Sequence, residues 1–280
     1  METGRAVRPL AVTLLCLALA GSPSGAATAA AAAAAGAAPH LRVAARISGK
    51  FVSPLGSEPP GFDVEILRRF AAWHHVKAGV QPQLDITEAA NVPVLLEAVQ
   101  KGADLGIGGV TATTERAKLV DFSIPILPVR SVLIAPPEVL APETWRQHIK
   151  GLRVGATVGS TNAAEVEKLA TAVGGLKVNT TFATNEAVFD ALVGAHRSLD
   201  AAVVDLPQYW TTGKQHGLVL VDSLGEPLGM AIVLHKGSPW KPLIDQFLES
   251  FTHSSDYFQI IRRYFGNDAE QMVRMSKGSR

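Results

Sequence analysis

Between residues 40 and 107 three short apolar runs alternate with two helical patterns, and the same order returns between residues 153 and 204. The first set places strands at 41–45, 84–86 and 104–107. Its first helix opens with Asp63 as N-cap and brings Ile66, Leu67, Phe70 and Trp73 to one face. Its second helix runs over 91–100, with Asn91 as cap and Gly102 as stop. The second set predicts a strand at 153–156, a turn at 157–160 and a helix at 162–173 with an Asn162/Glu165 capping box. A strand at 177–182, a helix at 186–192 and a strand at 199–204 complete it. A twice-repeated βαβαβ order implies two mostly parallel sheets with helices on their faces, an α/β class. Extended runs at 128–135 and 228–234 link the sets. Two C-terminal helices follow, the first started by Ser238-Pro239, the second carrying Tyr257, Ile260, Ile261, Tyr264 and Phe265 on one face.

The chain has 280 residues, 47% of them hydrophobic and 18% charged, enough apolar mass for one large domain or two small ones. A net charge of +1 without a basic stripe points away from nucleic acid. The N-terminus differs from the rest. Arg5 and Arg8 precede an apolar run over 10–20 that is too short to span a bilayer, and small residues follow. This pattern predicts a secretory signal peptide over 1–30 and an alanine-rich leader over 31–39. Cys16, the one cysteine, lies inside that run after Leu15, not after the small residue a lipidated cysteine requires. The processed chain is therefore expected to carry no disulfide. The eight histidines show no zinc-ligand spacing, and no nucleophile elbow or phosphate loop occurs. No metal, cofactor or catalysis is expected.

The chemistry concentrates in Asp104-Leu-Gly-Ile-Gly-Gly-Val-Thr-Ala-Thr-Thr-Glu-Arg116. A strand runs into a Gly/Thr turn, the turn opens a helix, and an arginine stands in that helix's first turn. Backbone N–H groups, hydroxyls and a guanidinium are thereby brought together for an anion. A dinucleotide loop would need a third glycine where Thr111 stands. Thr111 and Thr113 can cap the helix, contact a ligand, or both. Arg116 can alternatively pair with Glu115 or Asp121 on a helix face. Asp205 follows a strand's C-terminal end, where open α/β sheets place ligands, and equally suits a turn before Pro207.

Motifs along nearly the whole processed chain resemble family 3 periplasmic solute-binding proteins, the amino-acid receptors of ABC importers. They are Gly61-Phe-Asp-Val-Glu65, the run over 96–105, the Gly/Thr turn with Arg116, Gly151-Leu-Arg-Val-Gly155 with Gly159-Ser-Thr161, the run over 199–205, and the aromatic-rich end over 257–266. The resemblance implies the two-lobed type II periplasmic binding protein fold. Lobe one would comprise 40–128 and 226–280, lobe two 129–225, joined by two hinge β segments. It implies that Arg116 forks onto a ligand α-carboxylate and Asp205 receives the α-ammonium. Backbone N–H groups at Gly109, at Thr111 and at the helix start after Ser160 would complete the clamp. Thr157 and Thr161 flank that second-lobe turn. Phe51 is either an apolar wall over the ligand or plain core. Hydrated charges must be exchanged for matched partners, so the lobes are expected to shut on the ligand.

Neutral and basic amino-acid receptors of the family carry an aspartate after the first strand. Here Arg46 stands there, followed by Ser48, which is closer to the acidic amino-acid receptors. A guanidinium buried in a closed cleft needs an anion, which implies a dicarboxylic ligand such as glutamate or aspartate. The alternative is a solvent-facing arginine. The resemblance further implies a periplasmic monomer that delivers its ligand to an ABC permease of the inner membrane. Two rivals share the scaffold. A cyclohexadienyl or arogenate dehydratase would need an acid shortly after Asp205, where this chain reads Leu206-Pro-Gln-Tyr-Trp210. A soluble ligand sensor would report to a separate partner.

Overall fold

Strand β1 (His40–Ala45) threads Leu41, Val43 and Ala45 into the core, then helix α1 (Phe62–Ala78) crosses back before β2 (Gln83–Glu88), α2 (Val92–Gln100) and β3 (Leu105–Ile107). The computed structural model describes residues 38–278. The signal peptide expected over 1–30 and nearly all of the leader expected over 31–39 lie outside the described residues. β1 runs parallel to both β2 and β3. The chain then makes β4 (Thr111–Ala112), α3 (Thr114–Ala117) and β5 (Asp121–Phe122), and leaves along β6 (Leu127–Ala135).

After a short helix α4 (Trp145–His148), the second unit follows as β7 (Arg153–Thr157), α5 (Thr161–Val173), β8 (Lys177–Phe182), α6 (Asn185–Val193) and β9 (Ala201–Asp205). One turn of helix α7 (Leu206–Gln208) continues into a π-helical turn (Tyr209–Gly213). The chain returns through β10 (Val219–Met230) and β11 (Val233–Leu234), and ends in α8 (Trp240–Phe251), α9 (Ser255–Phe265) and α10 (Ala269–Ser276). The last of these helices is one more than the periodicity suggested.

Two sheets result, a five-stranded one ordered β2-β1-β3-β11-β5 and a six-stranded one ordered β4-β10-β6-β9-β7-β8. Each keeps a parallel half, β2-β1-β3 and β9-β7-β8, as the βαβ repeats require. The other half of each is antiparallel, so the sheets are more mixed than expected. The reason is the pair of crossing strands. β6 leaves the first unit and β10 returns to it, running antiparallel to one another, and β4 pairs with the end of β10. The fold is the two-lobed type II periplasmic binding protein architecture.

Two helix starts differ from expectation. Asp63 does not cap α1. The cap position is Gly61 at φ 106°, without a side-chain cap, and a Cβ there would lie 2.5 Å from the Phe51 carbonyl oxygen. α5 is capped by Ser160, whose hydroxyl accepts from the Ala163 N–H at 3.1 Å. Asn162, the expected cap, is instead a buried residue of the first turn. The C-terminal helices close the first sheet. Phe51 and Phe62 pack on Phe265, and the Tyr264 hydroxyl donates to Glu65 while accepting from the Gly61 N–H. The Tyr257 hydroxyl donates to the Ile126 carbonyl. Among the described residues no helix is long and apolar enough to cross a membrane.

Candidate functional site

The C-terminal ends of β1, β3, β7 and β9 point at one another across the space between the sheets, the position where parallel α/β sheets expose backbone for ligands. They line a cleft of about 670 Å³, solvent at its mouth included. Arg46 follows β1 and Thr157 ends β7. Asp205 ends β9. Gly109 and Thr111 follow β3, Arg116 comes from α3, and Ser160 and Thr161 open α5; all of these line the cleft. Arg116 and Asp205, from opposite units, share it. Phe51 does not line this cleft: it is 2% exposed, packed edge-on to Phe62 and tilted against Phe265, with an edge against Gly109.

Arg116 is aimed by its surroundings. The Thr113 hydroxyl accepts from the Arg116 N–H at 3.2 Å and caps α3, which leaves Thr111, in β4, to line the cleft. One guanidinium nitrogen donates to the Thr111 carbonyl at 2.8 Å, and the other reaches the Gly159 carbonyl of the second unit at 3.3 Å. No carboxylate pairs with it within 4.0 Å among the described residues. Burial pulls its pKa down while Asp205 pulls it up.

Arg46 faces the cleft. Its guanidinium donates twice to the Gly108 carbonyl, at 2.8 and 3.2 Å, and Ser48 donates to the same oxygen at 3.1 Å. The Gly108 and Gly109 N–H groups both donate to one oxygen of Asp63, at 2.8 and 2.9 Å. The Gly109 amide expected to meet a ligand is therefore taken by a carboxylate of the chain itself. The turn is pinned on one side by an acid and on the other by a base. Both glycines sit at positive φ, where side chains are strained.

Asp205 is 8% exposed, and one of its oxygens is buried without a partner. Burial pushes its carboxyl up to about 6, opposed by Asn162, Arg46 and Arg116. Burial likewise pushes Asp63 up to about 6 against its two amide bonds and Arg46. In the second unit the Thr157 hydroxyl donates to the Asn185 side-chain oxygen at 2.7 Å, and the Ser131 hydroxyl donates to the Asn162 side-chain oxygen at 2.7 Å. The Thr161 and Asn162 amides belong to the first turn of α5, where intrahelical partners are lacking. Asn162, Asn185, Glu186 and Gln208 line the cleft without having been singled out as contacts. Asn185 and Glu186 stand at a β8–α6 junction, and that strand-end position was the available signal. No group of three or more metal-ligating side chains forms among the described residues.

Two sheets joined by crossing strands, with a polar cleft that sets a guanidinium opposite an acid with one unpartnered oxygen, define a two-lobed solute-binding protein. The model of the bacterial extracellular solute-binding proteins, family 3, matches residues 49–267, and the chain belongs to that family. Among solved structures it is similar to the GluR0 ligand-binding core from Nostoc punctiforme in complex with L-glutamate, at 25% identity and a TM-score of 0.67, covering 81% of this chain and 99% of that one. It is similar to an ancestral arginine-binding protein bound to arginine, at 26% identity and 0.64, covering 81% and 98%. A putative binding component of an ABC transporter from Wolinella succinogenes, complexed with lysine, is 21% identical with a TM-score of 0.65, covering 81% and 95%, a likeness of fold. A search of curated proteins returns no match.

Proposed function

We propose that the chain is the periplasmic binding component of an ABC importer that captures an acidic amino acid by closure of its two lobes. The observation that carries the reading is the pairing in one cleft of Arg116, free of any carboxylate, with Asp205, whose buried oxygen lacks a partner. A zwitterion supplies both missing partners at once. Its carboxylate takes the Arg116 fork and its ammonium takes Asp205. The helix start at Ser160 and Thr161 adds donors beside the carboxylate. Arg46 argues for the acidic side chain. It lines the same cleft and donates only to a carbonyl, so a second carboxylate gives it the charge partner that burial demands. The neighbour in complex with glutamate and the family's extracellular setting agree with this reading. Delivery to an inner-membrane permease, export through the N-terminal segment and a monomeric state complete the proposal.

Calorimetry with glutamate, aspartate, glutamine, arginine and leucine tests it. Glutamate or aspartate is expected to bind best, with a Kd near micromolar, about −8 kcal/mol. Arg116→Ala strands a ligand carboxylate and is expected to raise Kd at least about 30-fold, since truncating one side of a buried charge pair costs about 2–5 kcal/mol. Arg46→Gln is expected to erase the preference for glutamate over glutamine. A wild-type preference for glutamine or arginine would end the acidic reading, and retention of affinity by Arg116→Ala would end the amino-acid reading altogether.

A further inference from the structure

Asn162 is a costly residue where it stands. It is the second residue of α5 and only 3% exposed, and it does not cap the helix, a duty that falls to Ser160. A buried carboxamide must find partners for both of its ends or it destabilises the fold. Asn162 finds them on two neighbouring strands. Ser131 of β6 and Asp205 of β9 are directly opposed in their antiparallel pair, so their side chains leave the sheet on the same face. The Ser131 hydroxyl donates to the Asn162 side-chain oxygen at 2.7 Å. The Asn162 side chain also hydrogen-bonds Asp205. A carboxylate only accepts, so with Asp205 ionised the amide turns its nitrogen to Asp205 and its oxygen to Ser131.

One oxygen of Asp205, Oδ1, is buried without a partner, so the Asn162 bond falls on Oδ2. The charged groups that act on Asp205 are Arg46, after β1, and Arg116 of α3, both from the first unit. From the second unit, the Gln208 side chain takes only the Asp205 backbone N–H, at 3.2 Å. Asn162 opposes the effect of burial on this carboxyl more strongly than either arginine does. We propose that Asn162 is the positioning residue of the ammonium site: anchored by Ser131, it holds one oxygen of Asp205 and leaves the other free for the ligand. The inference rests on the reading of the cleft as an amino-acid site. Asn162 also belongs to the first turn of α5, whose free amides stand beside the ligand carboxylate in that reading. A single side chain thus fixes the acid for one end of the zwitterion to the helix start that serves the other.

The test begins with a carbon-13 NMR titration of the aspartate carboxyls in the ligand-free, processed chain, the Asp205 signal being the one that Asp205→Asn removes. Asn162→Leu deletes the donor at similar volume, and the Asp205 midpoint is expected to rise by at least about one pH unit. Asn162→Asp keeps the shape and sets a second carboxyl against Asp205. The two acids are expected to titrate as a coupled pair, with midpoints split to either side of the wild-type value. In calorimetry with L-glutamate, Asn162→Leu is expected to weaken binding more at pH 6 than at pH 8, the ratio of variant to wild-type Kd growing at least about three-fold, because only the Asp205 anion takes an ammonium. A loss of equal size at both pH values is what displacement of α5 alone would give, and it overturns the proposal. So does an Asp205 midpoint unmoved in Asn162→Leu, or independent titration of the two acids in Asn162→Asp. Should Asn162→Leu not fold, Asn162→Asp alone decides. Any of these failures, with glutamate still bound by the wild type, removes Asn162 and leaves the amino-acid reading standing. Absence of amino-acid binding by the wild type removes that reading, and the ammonium role with it, however Asp205 titrates.

Discussion

The proposed site makes two conflicting demands on Asp205. A bound ammonium would need it buried away from water, yet burial, outweighing Asn162, Arg46 and Arg116, leaves its carboxyl raised to about 6. Asp63 is raised in the same direction for the same reason. The sign for stability follows directly. An aspartate in the unfolded chain titrates near about 3.9. Between that value and about 6 the folded, ligand-free protein holds protons that the unfolded chain has released, so stability from these groups is full below the lower value and is lost as pH rises through the upper one. Ligand reverses the demand on Asp205, because an ammonium pairs with the anion. Binding near pH 6 should therefore expel a proton, and affinity should weaken as pH falls from 7.5 to 5. Calorimetry at pH 6 in phosphate and in Bis-Tris, which differ in ionisation enthalpy, reads this as different apparent enthalpies, and equal enthalpies would exclude proton release. Arg116 and Asp205 stood out in the sequence because one follows a Gly/Thr turn and the other a strand end in an α/β pattern, while Arg46 stood out only through the family resemblance, and for all three the sequence left a reading outside the cleft open. The role of Asp63 was not legible. Its two amide donors lie 45 and 46 residues away, and a local reading could only offer it a helix cap.

At the scale of elements, the turn between β3 and β4 is the part the site depends on. Its shape is held from behind. Asp63, in the first turn of α1, satisfies the Gly108 and Gly109 amides, while Arg46 and Ser48, after β1, satisfy the Gly108 carbonyl. One peptide unit thus couples α1, β1 and the ligand turn. Asp63→Ala would leave two buried N–H groups unpaired, at about 1–3 kcal/mol each, and is expected to lower the melting temperature by several degrees. Asp63→Asn keeps one acceptor oxygen and should be milder. Gly108→Ala should resemble Asp63→Ala, since its Cβ would meet the Arg46 carbonyl oxygen at 2.5 Å with φ at 131°. Thermal unfolding of the three variants checks the order, and a Gly108→Ala chain as stable as the wild type would show that the turn tolerates rearrangement. The elements themselves were read well from periodicity. The cap positions were not, because Ser160 and Asn162 are both good capping residues and only the path of the preceding turn decides which side-chain oxygen accepts from the helix's free N–H groups.

For the whole molecule the question is whether ligand is gated by the separation of the lobes. In this structure they meet at the cleft rim. Arg116 of the first unit donates to the Gly159 carbonyl of the second, and a Cβ built on Gly159 would lie 3.6 Å from Cγ of Pro93 at the start of α2. Only Cγ and Cδ of Pro93 fall within 4 Å of that point, so its Cβ lies farther off, and a disulfide, whose Cβ atoms lie about 3.5–4.5 Å apart, would draw the two segments together. Cys16 falls inside the segment read as a signal peptide, so a processed chain offers no competing thiol. The double variant Pro93→Cys, Gly159→Cys, oxidised after loading with glutamate, should hold the lobes shut. Gly159 sits at φ 65°, and a side chain there costs about 1–2 kcal/mol, a strain the crosslink must bear. Release of radiolabelled glutamate is expected to slow at least about ten-fold in the oxidised protein and to recover on reduction, because the charges that clamp the ligand can leave it only when water re-enters the cleft. Free exchange of ligand from the crosslinked chain would mean that the cleft has a path to solvent that does not require the lobes to part, and the space between the two units lined by Ser48, Lys50, Asn185 and Glu186 is where that path would run.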